Sequence, residues 1–121
     1  MYTVKVKEHI MIAHSLPDPF FGPAQNMHGA TYVTEVTFMS ERLNAQNVVI
    51  DIGEATEITK KVLGELNYQN LDELPKFKGV LTTTEFLAHY IHSEIKSQLK
   101  EVLRLKVELL ESHVASASYE D

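Results

Sequence analysis

Along this chain the spacing of apolar residues changes from two, to three-and-four, and back to two. That order of periods constrains the fold more than any other feature. Tyr2, Val4 and Val6 alternate with Thr3, Lys5 and Lys7, and Ile10 to Ala13 follow, which predicts a strand over 2–14. Tyr32, Thr34, Val36 and Phe38 share one face of a second strand over 31–39, with Thr31, Val33, Glu35 and Thr37 on the other. The period then becomes helical. Ala55, Ile58, Val62 and Leu66 recur at helix spacing within 53–66, with Lys60 and Lys61 opposite. Phe86, Leu87, Tyr90, Ile91, Ile95 and Leu99 form the stripe of a second helix ending near Lys100. Strands over 104–111 and 114–119 close the pattern.

The joints are legible too. Three prolines and a glycine within 16–23 predict a loop, and Pro75 and Gly79 mark a second over 67–79. Residues 47–52 read as a short strand or as the entry to the first helix. Thr82 and Glu85 have capping-box spacing: a hydroxyl takes an orphan amide and the glutamate reaches back. The order ββααββ implies an α+β fold, a four-stranded antiparallel sheet with two helices on one face. The other face then lacks a cover within the chain. Alternating residues such as Thr31, Val33, Val107 and Leu109 predict apolar material there and hence oligomerisation.

Composition narrows the function classes. The 121 residues suit one domain, because a second core needs roughly 50 more. A net charge of −6 leaves no basic surplus to displace counterions, so a nucleic-acid partner is not expected. The absence of cysteine excludes disulfides, thiolate metal sites and a cysteine nucleophile. No apolar run approaches the ~20 residues that span a bilayer, and the N-terminus lacks the layout of a signal peptide. A cytoplasmic protein without a membrane partner is the expectation.

Six histidines raise the question of a metal. His89 and His92 fall on the polar side of the second helix with Glu85 and Lys96, where a solvated face is expected. His9 sits within the first strand, as a surface or packed residue. His14 and His28 differ, since each stands at a strand–loop border beside small residues. Strand-end histidines can converge on one ion, but two imidazoles fall short of the three protein ligands usual for catalytic zinc.

In its ordered fragments the chain resembles the 6-pyruvoyl-tetrahydropterin and 6-carboxytetrahydropterin synthase family. The fragments are Met11-Ile-Ala-His14, His28-Gly-Ala-Thr-Tyr32, Asn47-Val-Val-Ile-Asp51-Ile, Leu66-Asn-Tyr-Gln-Asn-Leu71-Asp72, Thr82-Thr-Thr-Glu85-Phe-Leu-Ala88 and Leu109-Leu-Glu111-Ser112. The resemblance implies the tunnelling fold (T-fold), whose sheets join side by side into a barrel. Trimers or stacked hexamers result, with sites between subunits. It also implies that Glu111 anchors the pterin by accepting from N3–H and the 2-amino group, a charge-assisted pair. Thr83 and Thr84 match the residues that contact the ring.

Three departures accompany these matches. His14 and His28 match the first two zinc histidines, but Ala30 stands where the third would be. The family's catalytic cysteine would lie near Ala24 and Gln25. Its Asp-His pair is replaced by Asn67-Tyr68, leaving Tyr68 as the one acid–base candidate. The reading is a divergent homologue that binds a pterin-like heterocycle at a subunit interface without the family synthase reaction, and with no cofactor. Two alternatives stand beside it. One is an active zinc-dependent lyase whose metal site is remade from His14, His28 and His113. The other is a non-enzymatic scaffold.

Overall fold

The computed structural model describes residues 1–121. The strands are β1 (Tyr2–His14), β2 (His28–Ser40), β3 (Gln69–Asn70), β4 (Arg104–Ser112) and β5 (Ala115–Glu120). The helices are α1 (Ile52–Gly64) and α2 (Thr84–Lys96), and short 3-10 turns cover Pro19–Gln25, Leu71–Glu73 and Pro75–Phe77. The sheet order is β3-β1-β2-β4-β5. All neighbours are antiparallel except β3, which runs parallel to β1. The expected four-stranded antiparallel sheet is therefore a five-stranded mixed one, and the order ββααββ gains a strand between the helices. β3 is two residues long, too short to show a period, and falls inside the expected 67–79 loop. Asn67 Oδ1 accepts from Met11 N–H at 2.9 Å and Tyr68 N–H donates to Met11 O at 2.7 Å, which docks it to β1.

Both helices cover one face, as the period pattern predicts. The core joins Ile10, Tyr32, Val36 and Phe38 to the apolar stripes of α1 and α2. Registry sets which face each strand presents. Val36 pairs with Val107 and Thr34 with Leu109, so Val107 and Leu109 face the helices and are fully buried. Their expected place on the uncovered face is corrected. In β4 the apolar Leu105, Val107 and Leu109 alternate with Arg104, Lys106 and Glu108, and alternation alone does not say which side of the sheet the apolar set meets. The uncovered face keeps Thr31 and Val33, with Leu110 opposite Val33. Lys5 and Lys7 both reach Glu35 there, at 2.8 and 3.4 Å.

Several boundaries shift for local reasons. Residues 47–50 are irregular backbone after a turn at 45–46, with Val49 and Ile50 buried, and Asp51 caps α1 by accepting from Glu54 N–H at 2.9 Å. α2 is capped by Thr83, which accepts from Phe86 N–H at 3.1 Å. The expected Thr82–Glu85 capping box is not used. α2 ends at Lys96, where Ser97 Oγ donates to Glu94 O.

His92 is also corrected: it is only 5% exposed, not on a solvated face. Its Nε2 meets Asp121 Oδ1 at 3.1 Å and its ring meets Tyr119 edge-on, because β5 folds back against α2. His89 stacks on the same tyrosine. The helical period could not foresee this cover, since the residues that supply it are almost thirty positions away.

Candidate functional site

The ends of β1 and β2 meet beside the start of α2 and the end of β4. His14 and His28 are a cross-strand pair, and their ring centroids lie 4.6 Å apart in an edge arrangement. They stand on two different strands, and antiparallel registry joins them. Between these rings and Glu111 lies a cavity of about 210 Å³, also lined by Tyr32, Thr83 and Thr84. Glu111 reaches it because it follows the last β2–β4 pair, Val33 with Leu110, two residues beyond core-facing Leu109. The first turn of α2 supplies Thr83 and Thr84.

The loop after β1 forms another wall. Asp18 accepts from Phe20 N–H at 2.8 Å, and Leu16 N–H donates to Ala24 O at 3.1 Å. Gly22 has φ 55° and ψ −126°, a conformation that a side chain would strain. The closed loop brings Phe21 and Ala24 to the cavity. Ala24 thus offers a methyl near the place where the resemblance puts a thiol.

Each imidazole is held through Nδ1. His14 Nδ1 lies 2.9 Å from Thr82 Oγ1, in a contact where both residues are buried. His28 Nδ1 lies 2.8 Å from Asn26 O. A carbonyl only accepts, so the neutral His28 tautomer is assigned as Nδ1–H with a bare Nε2. Burial lowers the His14 pKa below the usual histidine value. The His28 ring adds to that effect, while Asp72 and Glu111 partly offset it. Burial also raises the Tyr32 hydroxyl above the usual tyrosine value, and that hydroxyl lies 3.4 Å from Thr84 Oγ1.

Catalytic zinc usually takes three protein ligands. No group of three His, Cys, Asp or Glu residues is placed to hold a metal ion. Ala30 follows His28 on the same strand face and has no donor atom. His113 lies in the turn between β4 and β5, exposed, beyond a register shift at Leu110–Ser112. It is not on a regular strand face with Glu111 and does not line the cavity. The donor set of one chain does not fit the ion.

Tyr68 stands apart from this cavity. It is 79% exposed, at φ 61°, beside the β3–β1 edge. There it borders a separate apolar recess with Met11 and Ile12. Asn67 is engaged with the β1 backbone. The Thr82–Glu85 group, which reads as a helix cap that can also serve the ring, sends Glu85 to the cavity lining and Thr82 to His14, while the apolar alternation of β2 gives no sign of Tyr32 there. The run of three threonines was the available signal, since one cap uses one hydroxyl.

An α+β domain with helices on one sheet face and this cavity at the strand ends has the architecture of a tunnelling-fold protein. The chain belongs to the 6-pyruvoyl tetrahydropterin synthase family, whose model matches residues 3–121. The 6-pyruvoyl tetrahydrobiopterin synthase of Dictyostelium discoideum is 35% identical over 94 residues, spanning 76% of this chain and 69% of that protein. The 6-carboxy-5,6,7,8-tetrahydropterin synthase of Aquifex aeolicus is 26% identical over 121 residues, spanning 79% and 75%. The solved Caenorhabditis elegans 6-pyruvoyl tetrahydropterin synthase superposes with a TM-score of 0.89 at 25% identity, covering 99% of this chain and 95% of that one. No helix is long and apolar enough to cross a membrane.

Proposed function

We propose that this chain binds a pterin-like fused heterocycle through Glu111, Thr83 and Thr84, and does not carry out the family synthase reaction. One observation carries the reading. The three anchor residues line the same cavity as His14 and His28, while Ala24 and Ala30 leave that region without a thiol or a third imidazole. An ionised Glu111 accepts two adjacent N–H donors, and the threonine hydroxyls complete the ring's polar edge. General acid–base groups typically contribute 10²–10⁴-fold to such reactions, and metal polarisation adds several kcal/mol. Without them the side-chain rearrangement is slow.

Glu85 and Glu111 of the cavity lining are exposed on the single chain, which suits a site shared between copies. Strands β3 and β5 are the two free edges of the sheet. Pairing β5 of one copy with the β3 edge of the next would join several sheets into a trimer or hexamer. It would also bring Tyr68 of one copy toward the cavity of its neighbour. Tyr68 is then the acid–base candidate in any altered reaction, and an unchanged rate in Tyr68→Phe would remove it. Mass measurement in solution tests the assembly.

Calorimetric titration with a reduced pterin tests the binding reading. Saturation at one per chain, lost in Glu111→Ala, supports it, and equal binding by both proteins overturns the anchor. Chromatography of the same mixtures reports whether the pterin side chain changes. The synthase names of the relatives favour a second reading, an active zinc-dependent lyase. It requires His113 to move from its turn to join His14 and His28. One zinc per chain, lost in His113→Ala, would establish it.

A further inference from the structure

β5 brings little apolar surface to the core. Of its six residues only Ala117 is half-buried, and the other five are exposed. Backbone pairing with β4 holds it on one side. The Tyr119 ring, set against those of His89 and His92, holds it on the other. The remaining attachment comes from Asp121, the residue after the strand. Asp121 Oδ1 accepts from Leu105 N–H at 2.9 Å and lies 3.1 Å from His92 Nε2. A carboxylate only accepts, so the neutral His92 tautomer is assigned with its proton on Nε2. Asp121 Oδ2 accepts from the Lys96 ammonium. Donors from α2 and β4 thus converge on one carboxylate and use both of its oxygens.

These donors are placed by elements other than β5. His92 and Lys96 stand one turn apart on α2. Lys96 also donates to Leu103 O, and the end of a helix favours a cation. The buried Leu105 side chain fixes the amide of its own residue in β4. His92 is 5% exposed, so losing Asp121 would strip its Nε2 of a partner where water scarcely reaches. A cavity of about 270 Å³ borders the group, lined by Lys96, Arg104, Leu103 and Glu41. Arg104 is engaged with Glu120 at 3.4 Å and with the Asp121 carbonyl at 3.1 Å.

We propose that His92 Nε2, Lys96 Nζ and the Leu105 amide form a carboxylate-binding nest, which the chain closes with its own Asp121 and so straps β5 across α2. Opening the strap breaks charge-assisted hydrogen bonds and little apolar packing, so β5 can leave while the rest of the fold stays. The open nest then offers the same donors to a small carboxylate from solution. Opening also moves the free edge of the sheet from β5 to β4, which bears on the assembly proposed above. The nest itself does not rest on that assembly.

Amide exchange, read segment by segment, tests the strap in the full chain. Asp121→Ala should speed exchange in β5 about tenfold or more, from the loss of hydrogen bonds to a charged group, and leave α1 and β1 unchanged. Formate should slow β5 exchange again in that variant, and chloride at equal ionic strength should not. Adding Lys96→Met to Asp121→Ala should abolish the formate effect. Unchanged β5 exchange in Asp121→Ala, equal action of formate and chloride, or a formate effect that survives Lys96→Met would overturn the proposal. If Asp121→Ala does not fold, Lys96→Met alone decides: faster exchange confined to β5 supports the strap, and unchanged or global exchange overturns it. Mass measurement on the same samples reports the assembly separately. A chain that is monomeric throughout removes the shared edge, and the exchange data still decide the nest.

Discussion

Replacing Thr82 with valine removes one oxygen and nearly preserves side-chain shape. That oxygen is buried and is the partner of His14 Nδ1 at 2.9 Å. Valine leaves the nitrogen unpaired in a residue only 3% exposed. Leaving a buried polar group unsatisfied costs about 1–3 kcal/mol. The unfolding entropy of 121 residues, at ~2.1 cal/mol/K per residue, is ~250 cal/mol/K. The melting temperature should therefore fall by about 4–12 °C. The chain lacks tryptophan, so circular dichroism is the suitable probe, at one fixed protein concentration. Thr82→Ser keeps the hydroxyl and should recover most of the loss. Combining Thr82→Val with His14→Phe should cost less than the sum of the single changes, because the orphaned nitrogen is gone. An unchanged Thr82→Val melt would refute the reasoning. So would Thr82→Ser melting as low as Thr82→Val, since the methyl rather than the hydroxyl would then carry the effect.

Burial holds His14 neutral to lower pH than in the unfolded chain. The unfolded state therefore takes up its proton first, and stability falls as pH drops below about 6.5. NMR titration should place the His14 midpoint below that value, and a midpoint above it refutes the assignment. For Asp121, burial works against ionisation. The Lys96 ammonium, the Leu105 amide and His92 outweigh it and hold the carboxyl well below its usual range. Its contribution is thus present above about pH 4 and lost as pH falls toward the lowered value. Asp121→Asn should flatten the acid limb of the stability curve and speed amide exchange in β5, and an unaltered limb counts against the contact. Phe77 meets Phe86 and Tyr90 edge-on, at 5.8 and 5.0 Å between centroids. Phe77→Ala should cost about 3–5 kcal/mol by denaturant titration. A loss under about 1 kcal/mol would show that the loop carrying it is not part of the cooperative core.

The sequence by itself determined the two long strands, the two helices and their common face. It did so because amphipathic periods of two and 3.6 are local properties that survive without neighbours. It also singled out His14, His28, Thr83, Thr84 and Glu111, through strand-end position, a threonine run and ordered family fragments. Tertiary structure decided what depends on registry and on distant cover. Registry turned Val107 and Leu109 inward and set His14 against His28. β5 folded over α2 and buried His92 against Asp121 and Tyr119. Thr82 exchanged a local cap for a long-range bond to His14, because Thr83 already satisfied the amide that the helix end exposes. A period reports which residues share a face. Only the packed chain shows what that face meets.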